Sequence, residues 1–124
     1  MSKDAANIGY LPSGNPLTFK EYQEETKATA SYPKDIAVLF CTVALAGETG
    51  EVCEKIKKVF RDHNGVFTWE KKLAIAKELG DALWYMSQLA AELDLDLEGV
   101  ASDNLKKLRD RILKDKLSGS GDDR

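Results

Sequence analysis

Histidine is almost missing from this chain: His63 is the only one, beside two cysteines and three prolines in 124 residues. One histidine cannot supply the paired E-x-x-H steps of a di-iron helical bundle. Cys41 and Cys53 belong to no zinc-ligand spacing. Both fall in one predicted helix, where twelve residues at ~1.5 Å each hold them ~18 Å apart, beyond disulfide reach. Reduced thiols in a cytoplasmic protein are expected. Strand-period alternation and solenoid-length repeats are also missing. The formal net charge is −3, which argues against a nucleic-acid backbone as ligand. The basic run Lys106–Lys116 is interrupted by Asp110 and Asp115 and reads as a helix surface. Residues 1–16 are polar and marked by Pro12, Gly14 and Pro16, so no secretory leader is expected. The longest apolar run, Ile36–Ala46, is shorter than the roughly 20 residues that span a bilayer, and no membrane partner is expected.

What remains is ordinary in bulk, 43% hydrophobic and 31% charged, and fits one domain with its own core. An irregular arm is expected over 1–17. Thr18-Phe19-Lys20-Glu21 is a capping box and predicts a first helix to about Ala30, which Pro33 ends. Asp35 is placed as the cap of a second helix running to about Arg61, closed by His63-Asn64-Gly65. Thr68 opens a third helix to about Leu93. After Asp94 or Asp96 a fourth carries Leu97, Val100, Leu105, Leu108 and Ile112 at helical spacing. The helical domain is set at 18–117. The Gly/Ser/Asp tail 118–124 has nothing to bury and is expected to be disordered. The fold class is all-α, an antiparallel four-helix bundle. Ile36–Ala46 is apolar around its whole circumference, so it needs cover on most sides. A homo-oligomer, dimer or tetramer, with the second helix at the interface is expected.

Two acidic steps stand out. Glu48 and Glu51 form E-x-x-E in the second helix; Glu78 and Asp81 form E-x-x-D in the third. Residues three apart share a helix face, and the first pair shares its face with Cys41, Ala44, Leu45 and Val52. Carboxylates gathered on half-apolar faces repel, and either protonation or a divalent cation relieves them. Oxygen-only donors select hard ions such as Mg²⁺, Mn²⁺ or Ca²⁺ over zinc, and Mn²⁺ is expected to be able to substitute for Mg²⁺. Gly47, Gly50 and Gly80 lie beside or between these acids. Each costs about 1 kcal/mol in a helix interior, which predicts close approach of a neighbouring helix or ligand. The competing interpretation is a solvated surface laced by Glu51–Lys55, Glu54–Lys58 and Lys77–Asp81 pairs.

The segments Ala46-Gly-Glu-Thr-Gly-Glu-Val-Cys-Glu-Lys-Ile-Lys-Lys58, Lys77-Glu-Leu-Gly-Asp-Ala-Leu-Trp-Tyr85 and Asn104-Leu-Lys-Lys-Leu-Arg-Asp-Arg111 resemble the MazG-like all-α nucleoside triphosphate pyrophosphohydrolases. The resemblance covers about 17–113. It implies Glu48, Glu51, Glu78 and Asp81 as metal ligands, and Asn104, Lys107 and Arg111 as substrate-binding residues. Offsets of three and seven also place those last three on one face of the fourth helix, with donors suited to phosphate oxygens. By position alone, Lys55 and Lys58, one or two turns beyond the glutamates, are candidates for further phosphate contacts. Gly47 stands where many relatives carry another Glu. That leaves the number of metal ions open, and which carboxylate orients the water. Glu54 offers partial compensation from about 120° around the helix.

The resemblance implies Mg²⁺-dependent cleavage of (deoxy)nucleoside triphosphates to monophosphate and pyrophosphate. A water activated at the metal and oriented by Glu48 or Glu51 would attack the α-phosphorus, with Lys107 and Arg111 on the leaving group. The reaction would shape or clear a nucleotide pool, with dGTP or GTP to dGMP or GMP among the candidates. Of the aromatics Phe19, Tyr22, Trp84 and Tyr85, Trp84 is the one placed at a base pocket, three residues after Asp81. Asp94–Gly99 mimics the start of an EF-hand loop, but Leu105 stands where the bidentate Glu is needed. The rival class is non-enzymatic: a metal-dependent nucleotide sensor or a helical scaffold.

Overall fold

The structure, a computed structural model, describes residues 17–116. The assigned arm, apart from Leu17, and the assigned tail lie outside the described residues. Among the described residues four α-helices carry the fold: α1 Phe19–Thr26, α2 Ala37–His63, α3 Trp69–Glu92 and α4 Leu97–Asp115. No strand occurs among the described residues, and the chain is all-α.

Local chemistry sets most of the boundaries. The Thr18 hydroxyl accepts from Glu21 N at 3.0 Å, and the Glu21 carboxylate accepts from Thr18 N at 3.3 Å, completing the capping box. Thr68 caps α3 by accepting from Lys71 N, and Asp96 caps α4 by accepting from Glu98 N. Asn64 (φ 53°) and Gly65 (φ 74°) turn the chain out of α2 in the left-handed region. One expected cap is corrected. Asp35 lies inside a 3₁₀ turn, Lys34–Ile36, and Ile36 occupies the cap position of α2 with no side-chain hydrogen bond. The turn that follows Pro33 places the carboxylate one residue too early to serve.

The connection 64–68 folds α3 back along α2. Val59, near the end of α2, lies beside Ala74 and Ile75 of early α3. Cys41, near the start of α2, lies among Tyr32, Trp84, Tyr85 and Leu89. The two long helices are therefore antiparallel. A buried aromatic cluster sits at that end, Tyr32 stacking on Phe40 and meeting Trp84 edge-on. Helix α1 crosses onto α3 and α4 through polar groups. Thr26 and Ser87 share a buried contact at 3.4 Å. The Gln23 side chain donates to Leu95 O (3.0 Å) and accepts from Leu97 N (3.0 Å) at the α3–α4 junction. Gln23→Ala strands that half-buried N–H, so we expect a loss of about 1–3 kcal/mol, read from urea unfolding.

The chain does not cover its own apolar surface. On α2, Leu39 and Val43 are 61% and 63% exposed, and on α4 Leu105 and Ile112 are 56% and 60% exposed. Of the apolar series expected on α4, Leu97 alone is buried. The segment Lys34–His63 is long and apolar enough to cross a bilayer by length and composition, with 11% of its most apolar window buried. This departs from the expectation drawn from Ile36–Ala46 alone. Yet Glu48 sits mid-helix in an acidic cluster with α3, and a charge at bilayer depth costs about 2.5–3.5 kcal/mol or more.

Candidate metal and nucleotide site

Antiparallel pairing brings the middle of α2 against the middle of α3. There Glu48, Glu78 and Asp81 converge, one carboxylate oxygen from each lying within 4.8 Å of the others. Glu48 and Glu78 are half-buried and Asp81 is exposed. Partial burial raises the Glu48 carboxyl above its ordinary range, and the negative charges of Asp81, Glu78 and Glu51 push it further. All donors are hard oxygens, so the cluster fits Mg²⁺ or Mn²⁺. Glu51 of the expected quartet is exposed and outside the triad, though close enough to act on Glu48. It lies about one helical turn further along α2 than Glu48.

The raised Glu48 carboxyl gives a pH prediction. A folded-state pKa above the unfolded value means that the native protein holds the extra proton, so stability falls as pH rises between the two values. In EDTA, the stability of the parent chain relative to Glu48→Gln should decline as pH rises from about 4 through the carboxylate range. Divalent metal should restore it. Melting curves across that range, with and without Mn²⁺, read both effects.

The surface-pair alternative holds only in part. Glu54 pairs with Lys57 (2.7 Å) and Lys58 (3.7 Å) and is not part of the triad. Lys55, by contrast, reaches across to Glu78 at 3.3 Å. A cation already stands where negative charge is concentrated.

An open cleft of about 340 Å³ lies against the triad, lined by Thr29, Glu48, Asp81, Trp84 and Tyr85. Trp84 is one wall of this cleft. Its indole N–H donates to the Thr29 hydroxyl at 3.0 Å, and that hydroxyl donates to Thr26 O. Tyr85 meets Trp84 edge-on at 5.0 Å, so these rings are both core and wall. Phe19 and Tyr22 line a separate small cleft with Leu83. The Tyr22 hydroxyl is raised by burial first and by the charge of Asp81 second. Thr29 was not legible in the sequence: it sits in a 3₁₀ turn after α1, outside any helical period.

Two further expectations need correction or restatement. A methyl added at Gly47, Gly50 or Gly80 would meet nothing within 4 Å, so no helix of the same chain approaches these glycines. They lie on the side of the hairpin away from its neighbours. On α4, Asn104 and Lys107 are exposed and Arg111 is half-buried; none of the three lines the cleft.

Residues 39–113 match the family model described as the MazG nucleotide pyrophosphohydrolase domain. The chain is similar to the Gene 37 protein of Mycobacterium phage L5, 40% identical over 109 residues, covering 83% of this chain and 96% of that protein. That name assigns no activity. No solved structure matches.

Proposed function

Because this chain belongs to the MazG nucleotide pyrophosphohydrolase family, we propose that it hydrolyses nucleoside or deoxynucleoside triphosphates to monophosphate and pyrophosphate. The observation that carries this reading is the triad Glu48–Glu78–Asp81 at the edge of a cleft walled by Trp84 and Tyr85. Three carboxylates with Lys55 as their one paired cation among the described residues would repel a triphosphate, so a divalent cation is required between them. Glu48, Glu78 and Asp81 would hold it, with Glu51 joining from the next turn of α2. When bound, it supplies charge neutralisation and Lewis-acid polarisation of phosphoryl oxygens. Glu48 or Glu51 orients the attacking water toward the α-phosphorus and takes its proton. Lys55, in contact with Glu78, and Lys58 beyond it are the hairpin's cations for the departing pyrophosphate. Asn104, Lys107 and Arg111 share one face of α4, and their part in phosphate binding requires that face to reach the cleft.

We also propose that the working form is a homo-oligomer joined through α2. Leu39, Val43, Ala46, Gly47 and Gly50 follow one another along one side of that helix, and all are exposed. Small residues there let a second helix approach closely.

Incubation with each common NTP and dNTP in Mg²⁺ should release pyrophosphate and the matching monophosphate in equal amounts. Release of orthophosphate instead would move the cut away from the α-phosphorus. No turnover with any nucleotide, despite metal-dependent binding, would favour the sensor. A screen over bases and sugars names the pool that is acted upon.

A further inference from the structure

A second concave feature lies further along the α2–α3 hairpin. Lys55 is seven residues from Glu48, and Lys71 seven from Glu78, which puts these lysines about 10 Å along the axis from the triad. The cleft holds about 230 Å³. Its floor is apolar, made by Val59 and Ile75; its rim carries Lys55, Lys58 and Lys71, with His63 and Asp62.

The charges on this rim do not balance locally. Asp62 is the acid among the lining residues, and Arg61 already engages both of its oxygens, at 2.8 and 2.7 Å. Lys58 shares Glu54 with Lys57 and stands off at 3.7 Å against 2.7 Å for its competitor. Lys71 has no carboxylate within 4 Å among the described residues. Lys55 alone has a partner across the hairpin, Glu78 of the triad, at 3.3 Å. Three ammonium groups thus surround an apolar-floored hollow, where field lines concentrate and an incoming anion gains more than on a flat surface.

We propose that this cleft binds a phosphate-class polyanion through Lys55, Lys58 and Lys71, and that Lys55 couples its occupancy to the acidic triad. The ligand chemistry is that of linked tetrahedral phosphates, whether free pyrophosphate or the polyphosphate of a nucleotide. Spacing favours a polyanion over a single phosphate, because the lysines come from both helices and a chain of oxyanions can touch them together. The Lys55–Glu78 pair gives the coupling: whatever draws the Glu78 carboxylate away frees Lys55 for the anion. The inference deepens the proposed hydrolase reading, in which Lys55 and Lys58 already meet the departing pyrophosphate. It is argued from the charge and shape of the cleft and tested without metal and without turnover, so that the two readings can fail separately.

Isothermal titration of the full chain in EDTA with inorganic pyrophosphate should give one saturable site, weakened by added salt. Lys58→Met/Lys71→Met should weaken it at least tenfold while circular dichroism shows the helices intact. Glu78→Gln should tighten it about threefold, and that gain should vanish when Lys55→Met is also present, as a double-mutant cycle reports. A parallel titration with a non-hydrolysable triphosphate analogue separates the two sources. Tighter binding of pyrophosphate assigns the site to the free anion, and tighter binding of the analogue assigns it to the nucleotide. Absence of saturable binding by either probe, or the same affinity in Lys58→Met/Lys71→Met, overturns the site. An unchanged affinity in Glu78→Gln overturns the coupling. Loss of hydrolase activity, were it found, would leave each of these readings intact.

Discussion

Asp81→Asn is expected to abolish pyrophosphate release while making the metal-free protein more stable. The activity loss should be at least about 100-fold, the upper end of what outer-shell changes around metals cost, because Asp81 is one of three oxygens gathered within 4.8 Å. The stability gain has a separate origin. Without a cation, Glu48, Glu78 and Asp81 repel one another, and the raised Glu48 carboxyl registers that repulsion after the larger effect of burial. Removing one of the charges relieves it. Steady-state turnover in Mg²⁺ and melting in EDTA measure the two effects on the same sample. Structural acids would behave in the opposite way: Asp81→Asn would then lower stability and leave metal-dependent stabilisation untouched. Mn²⁺ should raise the melting temperature of the parent chain by mass action and leave that of the variant almost unmoved.

Val43→Glu should convert the proposed homo-oligomer to a 13.7 kDa monomer with its helices preserved. Val43 is 63% exposed within the chain, so a carboxylate there disturbs no internal packing. Buried between two copies of α2, it would be an unpaired charge, which costs several kcal/mol. The side chain it replaces contributes about 1.5–3 kcal/mol when fully buried. Light scattering on the parent chain should give two or four times the monomer mass. A monomeric parent would remove the proposal. Gly47→Ala reads the same face from another direction. In an isolated chain the new methyl meets nothing, and better helix propensity should add about 1 kcal/mol. Against a closely packed second helix the same methyl collides, and the melting temperature should fall instead.

Both experiments turn on α2, where sequence and structure divide. Its polar half carries Glu48 and Lys55 toward α3, while its apolar half is buried at Cys41 and open at Leu39 and Val43. All-round apolarity in Ile36–Ala46 was legible as a demand for cover. Which sides the chain covers itself was not, because one helical period repeats on every face of such a segment.

The sequence by itself determined the helical class, most of the capped and turned helix boundaries and the acidic steps. Caps and turns act over three or four residues: Thr18 with Glu21, Thr68 with Lys71, Asp96 with Glu98, and Asn64-Gly65 with its positive φ values. Asp35 escaped this rule because a 3₁₀ turn came between it and the helix. The pairing of Glu48 with Glu78 and Asp81, the reach of Lys55 to Glu78 and the wall that Thr29 builds beside Trp84 were decided only by the tertiary structure. Helical spacing states which residues share a face, but the axial register of one helix against another is set by side-chain packing between them. A shift of one turn, about 5.4 Å, separates a triad around Glu48 from one around Glu51.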